Sequence, residues 1–118
     1  MSNPIITKDG TCIWKVGGKL HREDGPAVVE PDGTQHWYRN DERHREDGPA
    51  ITYATGRKAW FINGERHRTD GPAVIYDDGS VSWWVNNNHM NSAKEFQEAT
   101  GMSDEDMIAL VLTYGNIE

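Results

Sequence analysis

The chain has 118 residues and a net charge of −7 at pH 7, and 36% of its residues are hydrophobic. No run of about 18 apolar residues occurs, which argues against a membrane-spanning helix. The first residues carry no basic segment followed by an apolar one, so we expect no secretory signal. Cys12 is the only cysteine, which excludes an internal disulfide and leads us to expect a reducing, cytoplasmic location.

Charge is distributed unevenly along the chain. Residues 1–91 contain 11 Lys and Arg against 13 Asp and Glu, a net of −2, whereas residues 92–118 contain one Lys and six acids, a net of −5. Generic nucleic-acid binding requires an excess of cations that neutralise phosphates. We therefore do not expect it of either region.

Four tryptophans recur every 23 residues, at Trp14, Trp37, Trp60 and Trp83. The first three are followed by a nearly identical motif. It reads His21-Arg22-Glu23-Asp24-Gly25-Pro26-Ala27, His44-Arg45-Glu46-Asp47-Gly48-Pro49-Ala50 and His67-Arg68-Thr69-Asp70-Gly71-Pro72-Ala73. A motif repeated at constant spacing predicts a repeat architecture, here about three and a half units over residues 1–91.

Each repeat contains two turn signals that predict antiparallel hairpins. The first is Gly17-Gly18, Asn40-Asp41, Asn63-Gly64 and Asn86-Asn87. The second is Asp9-Gly10, Asp32-Gly33, Thr55-Gly56 and Asp78-Gly79. Asn, Asp and Gly tolerate the positive φ of two-residue type I′ turns, and β-branched and aromatic residues lie between the turns. We predict a mainly β fold, an antiparallel β-hairpin repeat meander in the form of a ribbon or solenoid.

Two-residue loops at both turns determine which residues face each other in the predicted sheet. They place Trp14 opposite His21, Trp37 opposite His44 and Trp60 opposite His67. They also place Val28 opposite Trp37, Ile51 opposite Trp60 and Val74 opposite Trp83. On the other face they pair Ala27 with Tyr38, Ala50 with Phe61 and Ala73 with Trp84. This register predicts that the tryptophans form a packed ladder, on the opposite face from Arg22, Arg45 and Arg68.

The Asp-Gly-Pro segments predict a corner in each repeat, because proline cannot donate to a sheet ladder and glycine relaxes the backbone. Arg22 precedes Asp24 by two residues, and we expect an ion pair there and at the equivalent positions. We assign a structural role to the tryptophans and to the corner residues. These are Trp14, Trp37, Trp60, Trp83, Asp24, Asp47, Asp70, Gly25, Gly48, Gly71, Pro26, Pro49 and Pro72.

Both ends of the chain differ from the repeats. Pro4 precedes a short apolar segment, which is typical of a blunted edge strand. Met90 and Asn91 replace the His-Arg pair, as is usual in a terminal repeat. Two helix signals follow, with Ser92 and Ser103 as starts and glycines as stops. We predict two short helices in residues 92–118 that cap the sheet as part of the same domain.

The 23-residue unit, as in Trp60-Phe61-Ile62-Asn63-Gly64 followed by Asp78-Gly79, resembles a divergent MORN repeat. The His-Arg-x-Asp-Gly-Pro-Ala motif is still more similar to short repeat proteins of bacteriophages and large DNA viruses, over residues 11–91. Residues 96–115 resemble the tail of the phage members. The resemblance implies a β-hairpin ribbon used for protein or lipid contact rather than catalysis. The chain lacks the MORN tyrosine-glycine signature, and its net charge of −7 leads us to expect no membrane contact.

His, Arg and Asp are residues of acid–base catalysis, but here the trio recurs three times in equivalent positions. Catalytic sites are singular and asymmetric, so we expect no enzyme activity. The lone cysteine and the spacing of the histidines lead us to expect no metal and no other cofactor. The repeated side chains have either a structural role or a ligand-binding role. The candidate binding residues are His21, Arg22, His44, Arg45, His67, Arg68, Tyr38, Phe61 and Trp84.

These observations lead to one hypothesis and two alternatives. We expect a non-enzymatic intracellular binding protein, phage-encoded by resemblance, that acts on a host protein such as a defence factor. The first alternative is a protein that sequesters a nucleotide or another small signal, with the tryptophans as a stacking platform and the arginines as phosphate partners. The second alternative is a purely structural repeat scaffold. The sequence leaves the oligomeric state open.

Overall fold

A computed structural model describes residues 3–115 and 117, and within them the chain forms sixteen short strands and two helices. The strands are β1 (Ile5–Ile6), β2 (Cys12–Ile13), β3 (Lys15–Val16), β4 (Lys19–Leu20), β5 (Val28–Val29), β6 (Gln35–His36), β7 (Tyr38–Arg39), β8 (Glu42–Arg43), β9 (Ile51–Thr52), β10 (Lys58–Ala59), β11 (Phe61–Ile62), β12 (Glu65–Arg66), β13 (Val74–Ile75), β14 (Val81–Ser82), β15 (Trp84–Val85) and β16 (Asn88–His89). The helices are α1 (Ala93–Thr100) and α2 (Asp104–Tyr114).

The strands form one continuous antiparallel meander. Eight of them make a sheet in the order β1-β2-β5-β6-β9-β10-β13-β14, and the others make the hairpins β3-β4, β7-β8, β11-β12 and β15-β16. Each hairpin extends the main sheet, because a single tryptophan connects β2 with β3 and its equivalents. Neighbouring hairpins are also joined, since the Asp41 N–H donates to the Leu20 carbonyl at 2.9 Å. The predicted hairpin meander with two C-terminal helices is confirmed.

The first turn of each repeat has the predicted two-residue form. Lys15 pairs with Leu20 and Val16 with Lys19, so only two residues lie in the loop. In the second repeat the loop residues Asn40 and Asp41 have φ values of 49° and 69°. Both values lie in the left-handed region that a type I′ turn requires at its two central positions.

The second turn is longer than predicted, and this shifts the register by one residue. The Glu30 N–H donates to the Thr34 carbonyl and the Gly33 N–H to the Glu30 carbonyl, both at 2.9 Å, so the loop contains three residues. Gly33 has a φ of 95°, as expected of a three-residue loop that ends in a left-handed residue. Val28 consequently pairs with His36 and not with Trp37.

The predicted pairs across this turn are therefore wrong in every repeat. Ile51 pairs with Ala59 rather than Trp60, and Val74 pairs with Ser82 rather than Trp83. The predicted pairs of Ala27 with Tyr38, Ala50 with Phe61 and Ala73 with Trp84 are also not formed. The backbone carbonyl of each alanine instead accepts a hydrogen bond at 2.7 Å from the backbone N–H of a tryptophan, in the pairs Trp14–Ala27, Trp37–Ala50 and Trp60–Ala73.

Alternation of side chains gives the sheet two faces. We call the face that carries Trp14, Trp37, Trp60 and Trp83 the tryptophan face. Ala27, Ala50 and Ala73 lie on it and are fully buried. We call the other face the aromatic face. Its central residues Ile51, Ala59 and Val74 are buried beneath Tyr53, Phe61, Tyr76 and Trp84.

The two helices cover the tryptophan face of the last repeat, as predicted. Ser92 and Ser103 cap them, and each side-chain oxygen accepts a backbone hydrogen bond from the first turn. The ring of Trp83 packs against Phe96 at a centroid distance of 4.9 Å and against Tyr114 at 5.9 Å. The other buried residues of this core are Val85, Met90, Met107 and Ile117. The array is thus closed at this end, whereas β1 forms the opposite edge of the sheet.

Candidate functional site

The corner of each repeat holds its arginine between a tryptophan ring and a glycine. In the second repeat the guanidinium carbon of Arg45 lies 3.9 Å from the ring centroid of Trp37. Arg45 donates to Asp47 at 2.9 Å and to the Pro49 carbonyl at 3.3 Å. A Cβ added to Gly48 would lie 2.9 Å from the guanidinium carbon, so a larger residue cannot occupy that position without moving the arginine.

The first and third repeats build the same corner. The guanidinium carbon lies 4.0 Å from the ring centroid in Arg22–Trp14 and 3.9 Å in Arg68–Trp60. Arg22 pairs with Asp24 at 3.2 Å and Arg68 with Asp70 at 2.9 Å, which confirms the predicted ion pairs. The prediction that the arginines and tryptophans lie on opposite faces is wrong. The corner loop folds back over the tryptophan face, and a register counted along regular strands does not describe that path.

The repeated histidines join each repeat to the next. The Nδ1 atom of His44 accepts a hydrogen bond at 2.9 Å from the N–H of Asn63, which begins the turn of the following hairpin. His21 accepts in the same way from Asn40, and His67 from Asn86. Since Nδ1 is an acceptor, the proton of the neutral ring is on Nε2. The polar atoms of six predicted binding residues, the three histidines and the three corner arginines, therefore serve internal contacts.

Electrostatics in the corner follow from these contacts. The Arg45 guanidinium donates to the Asp47 carboxylate and attracts its charge, which holds the pKa of Asp47 below its ordinary value. At the second turn, hydrogen bonds from Thr34 lower the pKa of Asp32 and hydrogen bonds from Ser80 lower the pKa of Asp78. These lowered pKa values keep the carboxylates ionised. They indicate stabilised turns rather than groups that exchange protons near neutral pH.

A groove of about 650 Å³ lies between the second and third corners. Trp60, Ile62 and His67 line it, together with the two corner arginines. Its rim carries three exposed carboxylates, those of Glu46, Asp47 and Asp70. A phosphate entering this groove would meet these negative charges, and the arginines are already bonded to the aspartates. The groove has the size for a small ligand but not the charge for a nucleotide.

The aromatic face carries alternating aromatic rings and arginines. Tyr38 pairs with Arg43 across one hairpin, and Phe61 pairs with Arg66 across the next. The guanidinium carbon of Arg43 lies 5.6 Å from the Tyr38 ring centroid and 5.8 Å from that of Phe61. That of Arg66 lies 5.8 Å from Phe61 and 5.0 Å from Trp84. We call these five residues the aromatic–arginine row.

A second, shorter row runs parallel to the first. The guanidinium carbon of Arg57 lies 5.4 Å from the Tyr53 ring centroid and 4.9 Å from that of Tyr76. Asp77 and Asp78 lie beside this row, in the loop between β13 and β14. The aromatic rings of both rows are half-buried. One side of each ring therefore packs on the sheet, and the other side is exposed to solvent.

The arginines of the aromatic face lack carboxylate partners within the described residues. The arginines that form salt bridges lie elsewhere in the molecule: they are Arg22, Arg39, Arg45 and Arg68. In the described residues, Arg43, Arg57 and Arg66 form no salt bridge. The Nε–H groups of Arg43 and Arg57 are buried without an acceptor in the same part of the chain. A buried donor without an acceptor costs about 1–3 kcal/mol, so these two groups lower the stability of the sheet.

Tyr38, Phe61 and Trp84 were predicted as binding residues, and the structure brings them together in one row. Five further residues of these rows were not predicted from the sequence: Arg43, Arg66, Tyr53, Arg57 and Tyr76. The positions of Arg43 and Arg66 could have been predicted, because the two-residue turns place Arg43 opposite Tyr38 and Arg66 opposite Phe61. The second row depends on the three-residue loops, and the wrong loop length concealed it.

Among residues 3–115 and 117, no group of three or more His, Cys, Asp or Glu side chains has a metal-binding arrangement. The same residues include no helix with the length and apolar character needed to cross a membrane. No protein-family model, curated protein or solved structure matches the chain.

Proposed function

We propose that this protein is a non-enzymatic binding protein that contacts another protein through its aromatic face. The observation that carries the proposal is the aromatic–arginine row, whose rings are half-buried and whose arginines have no carboxylate partner in the described residues. Tyr, Trp, Phe and Arg are the side chains enriched in protein–protein interfaces and in their energetic hot spots. The helices pack on the tryptophan face of the last repeat and do not cover this row.

The class of partner follows from the resemblance of the repeats to those of bacteriophage and viral proteins. We propose that the chain is a divergent MORN-like repeat protein encoded by a phage and that it acts in the host cytoplasm on a host protein. A defence factor would be a typical target for such a protein. This part of the proposal is an analogy and has its own test in the identity of the captured partner.

The alternatives have less support. Sequestration of a nucleotide would use the groove beside Trp60, and its rim of carboxylates opposes a phosphate. An enzyme would need a reactive His-Arg-Asp set. In each repeat the arginine instead binds the aspartate, a backbone carbonyl and the tryptophan ring, and the histidine accepts a hydrogen bond from the backbone of the next hairpin. A purely structural scaffold accounts for the contacts of the arginines with the rings, but it does not require arginines that lack a carboxylate partner in residues 3–115 and 117.

The experiment compares two charge-reversal variants in affinity purification from host lysate. The test variant carries Arg43→Glu and Arg66→Glu, which reverse two charges in the aromatic–arginine row. The control carries Lys19→Glu and Lys58→Glu, which make the same change in net charge at exposed positions of the tryptophan face. We expect the wild-type protein and the control to retain the same host protein, and the test variant to lose it.

The opposite outcome overturns the proposal. If the test variant retains the same host proteins as the wild-type protein, the aromatic face is not the binding surface. Circular dichroism and unfolding curves of both variants establish that each is folded before the comparison is made. A variant of Tyr38 alone, Tyr38→Ala, serves as a second test that does not alter charge.

A further inference from the structure

The aromatic–arginine row has a fixed spacing that limits what can bind along it. Its rings lie on β7, β11 and β15, and its arginines lie on β8 and β12 between them. The row is continuous across hairpins, because Arg43 is within 5.8 Å of the Phe61 ring of the next hairpin. The strands β6, β10 and β14, which lead into β7, β11 and β15, lie two strands apart in the eight-stranded sheet. Neighbouring strands are about 4.7–4.9 Å apart, so the repeats, and with them successive rings, advance by roughly 9.4–9.8 Å.

This distance matches one regular peptide conformation better than the others. A polyproline II helix has three residues per turn and rises about 3.1 Å per residue, so every third side chain recurs after about 9.3 Å on the same side. An extended β-strand repeats after about 6.6–6.8 Å. Two turns of an α-helix span about 10.8 Å. Over the two steps from Tyr38 to Trp84, the polyproline II mismatch stays within about 1 Å, whereas the α-helix accumulates about 2–3 Å.

The chemistry of the row agrees with the same occupant. Proline-rich segments in the polyproline II conformation bind grooves lined by aromatic side chains, because prolines pack on rings and the conformation is preformed. Arginine binds carboxylates with paired hydrogen bonds. In this row the two types of side chain alternate, so each step of about 9.4–9.8 Å contains one ring and one cation.

The distribution of charge favours the aromatic–arginine row over the rest of the surface as the binding site for an acidic segment. The whole chain has a net charge of −7, which repels an acidic segment from most of its surface. The corners present exposed carboxylates such as Asp47 and Asp70, and the second row has Asp77 and Asp78 beside it. Arg43 and Arg66 form no salt bridge in the described residues, so they remain available to a negative partner.

We propose that the aromatic–arginine row binds an acidic, proline-rich segment of a partner protein in the polyproline II conformation, lying across the strands. Prolines at every third position pack on Tyr38, Phe61 and Trp84. Carboxylates at the same interval pair with Arg43 and Arg66. The inference rests on the proposed function, since it specifies what kind of protein segment the aromatic face binds.

The experiment measures binding of synthetic peptides by the fluorescence of the protein's tryptophans and by calorimetry. The probe is a peptide of four Pro-Ala-Glu repeats. Three comparisons are made with it: a peptide of the same composition in which the three-residue period is broken, a peptide of four Pro-Ala-Lys repeats, and a twelve-residue oligothymidylate. The proteins are the wild type, the Arg43→Glu/Arg66→Glu variant and the Lys19→Glu/Lys58→Glu control.

We expect the wild type and the control to bind the periodic acidic peptide at least tenfold more tightly than the permuted and the lysine peptides. We expect the Arg43→Glu/Arg66→Glu variant to lose this binding. Equal affinity for the permuted peptide, or an affinity that the arginine variant leaves unchanged, would overturn the inference. Tighter binding of the oligothymidylate through the same arginines would overturn it in favour of single-stranded nucleic acid.

The outcomes distinguish this inference from the proposed function. If no peptide binds but the arginine variant still loses a host protein in the affinity purification, the polyproline II inference fails and the binding face stands. If the arginine variant retains every host protein, the proposed function fails first. The inference fails with it, and peptide binding would then show only that the row can hold such a peptide.

Discussion

The guanidinium of Arg45 lies between the ring of Trp37 and the backbone of Gly48, 3.9 Å from the ring centroid and within 2.9 Å of where a glycine Cβ would be. This contact links the most regular features of the sequence, the tryptophans and the Arg-x-Asp-Gly-Pro motif, in one structural unit. The unit is repeated three times, and its internal contacts use the polar atoms of the arginines and aspartates. The tryptophan face therefore contributes to stability, and we propose the aromatic face as the binding surface.

Replacement of Gly48 with alanine tests this unit. The added methyl group displaces the guanidinium of Arg45 from the ring, and we expect the free energy of unfolding to fall by about 0.5–2 kcal/mol, the value of one cation–π contact, as measured by urea denaturation. The control is a double-mutant cycle with Arg45→Ala. Once the arginine side chain is absent, Gly48→Ala should cost much less. An equal cost in both backgrounds would contradict the proposed arrangement.

The histidines should contribute to stability in proportion to their burial. His44 is 7% exposed, and removing its ring leaves the part-buried N–H of Asn63 without its acceptor. We expect His44→Ala to cost about 1–3 kcal/mol in urea denaturation, and the same change at His21 or His67 to cost about 0.5–1.5 kcal/mol. His89 is exposed, and its replacement should change stability by less than about 0.5 kcal/mol. One histidine variant that loses binding with unchanged stability would instead indicate a site.

The pair formed by Arg45 and Asp47 should make stability depend on pH in one direction. Because the pKa of Asp47 is lowered in the folded protein, its carboxylate contributes stability above the unfolded pKa, near 3.8, that is lost as the pH falls through the folded pKa. The difference in unfolding free energy between the wild type and Asp47→Asn should stay constant from neutral pH to about pH 5 and shrink below that. In an Arg45→Ala background this pH dependence should be absent. A difference that grows on acidification would contradict the assignment.

The helical cap should be essential for the last repeat. Phe96 is fully buried against Trp83, so we expect Phe96→Ala to lower the free energy of unfolding by about 3–5 kcal/mol. Leu112 is 82% exposed on the second helix and provides the control, since Leu112→Ala should have an effect below about 0.5 kcal/mol. Similar effects of the two substitutions would show that the helices do not pack on the sheet as described.

The sequence predicts the fold because its repeat period and its Asn, Asp and Gly pairs specify the hairpins. Gly17-Gly18 and Asn40-Asp41 define two-residue turns, and the pairing of Lys15 with Leu20 follows. The Asp-Gly pair of the second turn is compatible with two loop lengths. Only the hydrogen bonds of Glu30 show that Pro31 belongs to the loop as well.

The candidate site was harder to predict than the fold. The position of Arg22 over Trp14 depends on an irregular loop that folds back, which no strand register describes. The alternation of Tyr38 with Arg43 does follow from the two-residue turn. Its significance depends on a difference between the arginines: those of the corners pair with aspartates, whereas Arg43 has no carboxylate partner in the described part of the chain. That comparison needs side-chain positions as well as strand order.

The most direct test of the central claim places a photo-crosslinking amino acid, benzoylphenylalanine, at either of two positions in separate proteins expressed in host cells. One replaces Tyr38 on the aromatic face, and the other replaces Gln35, an exposed residue on the tryptophan face. We predict that irradiation joins a host protein to the position-38 protein and not to the position-35 protein. A host protein joined at position 35 but not at position 38 would contradict the account.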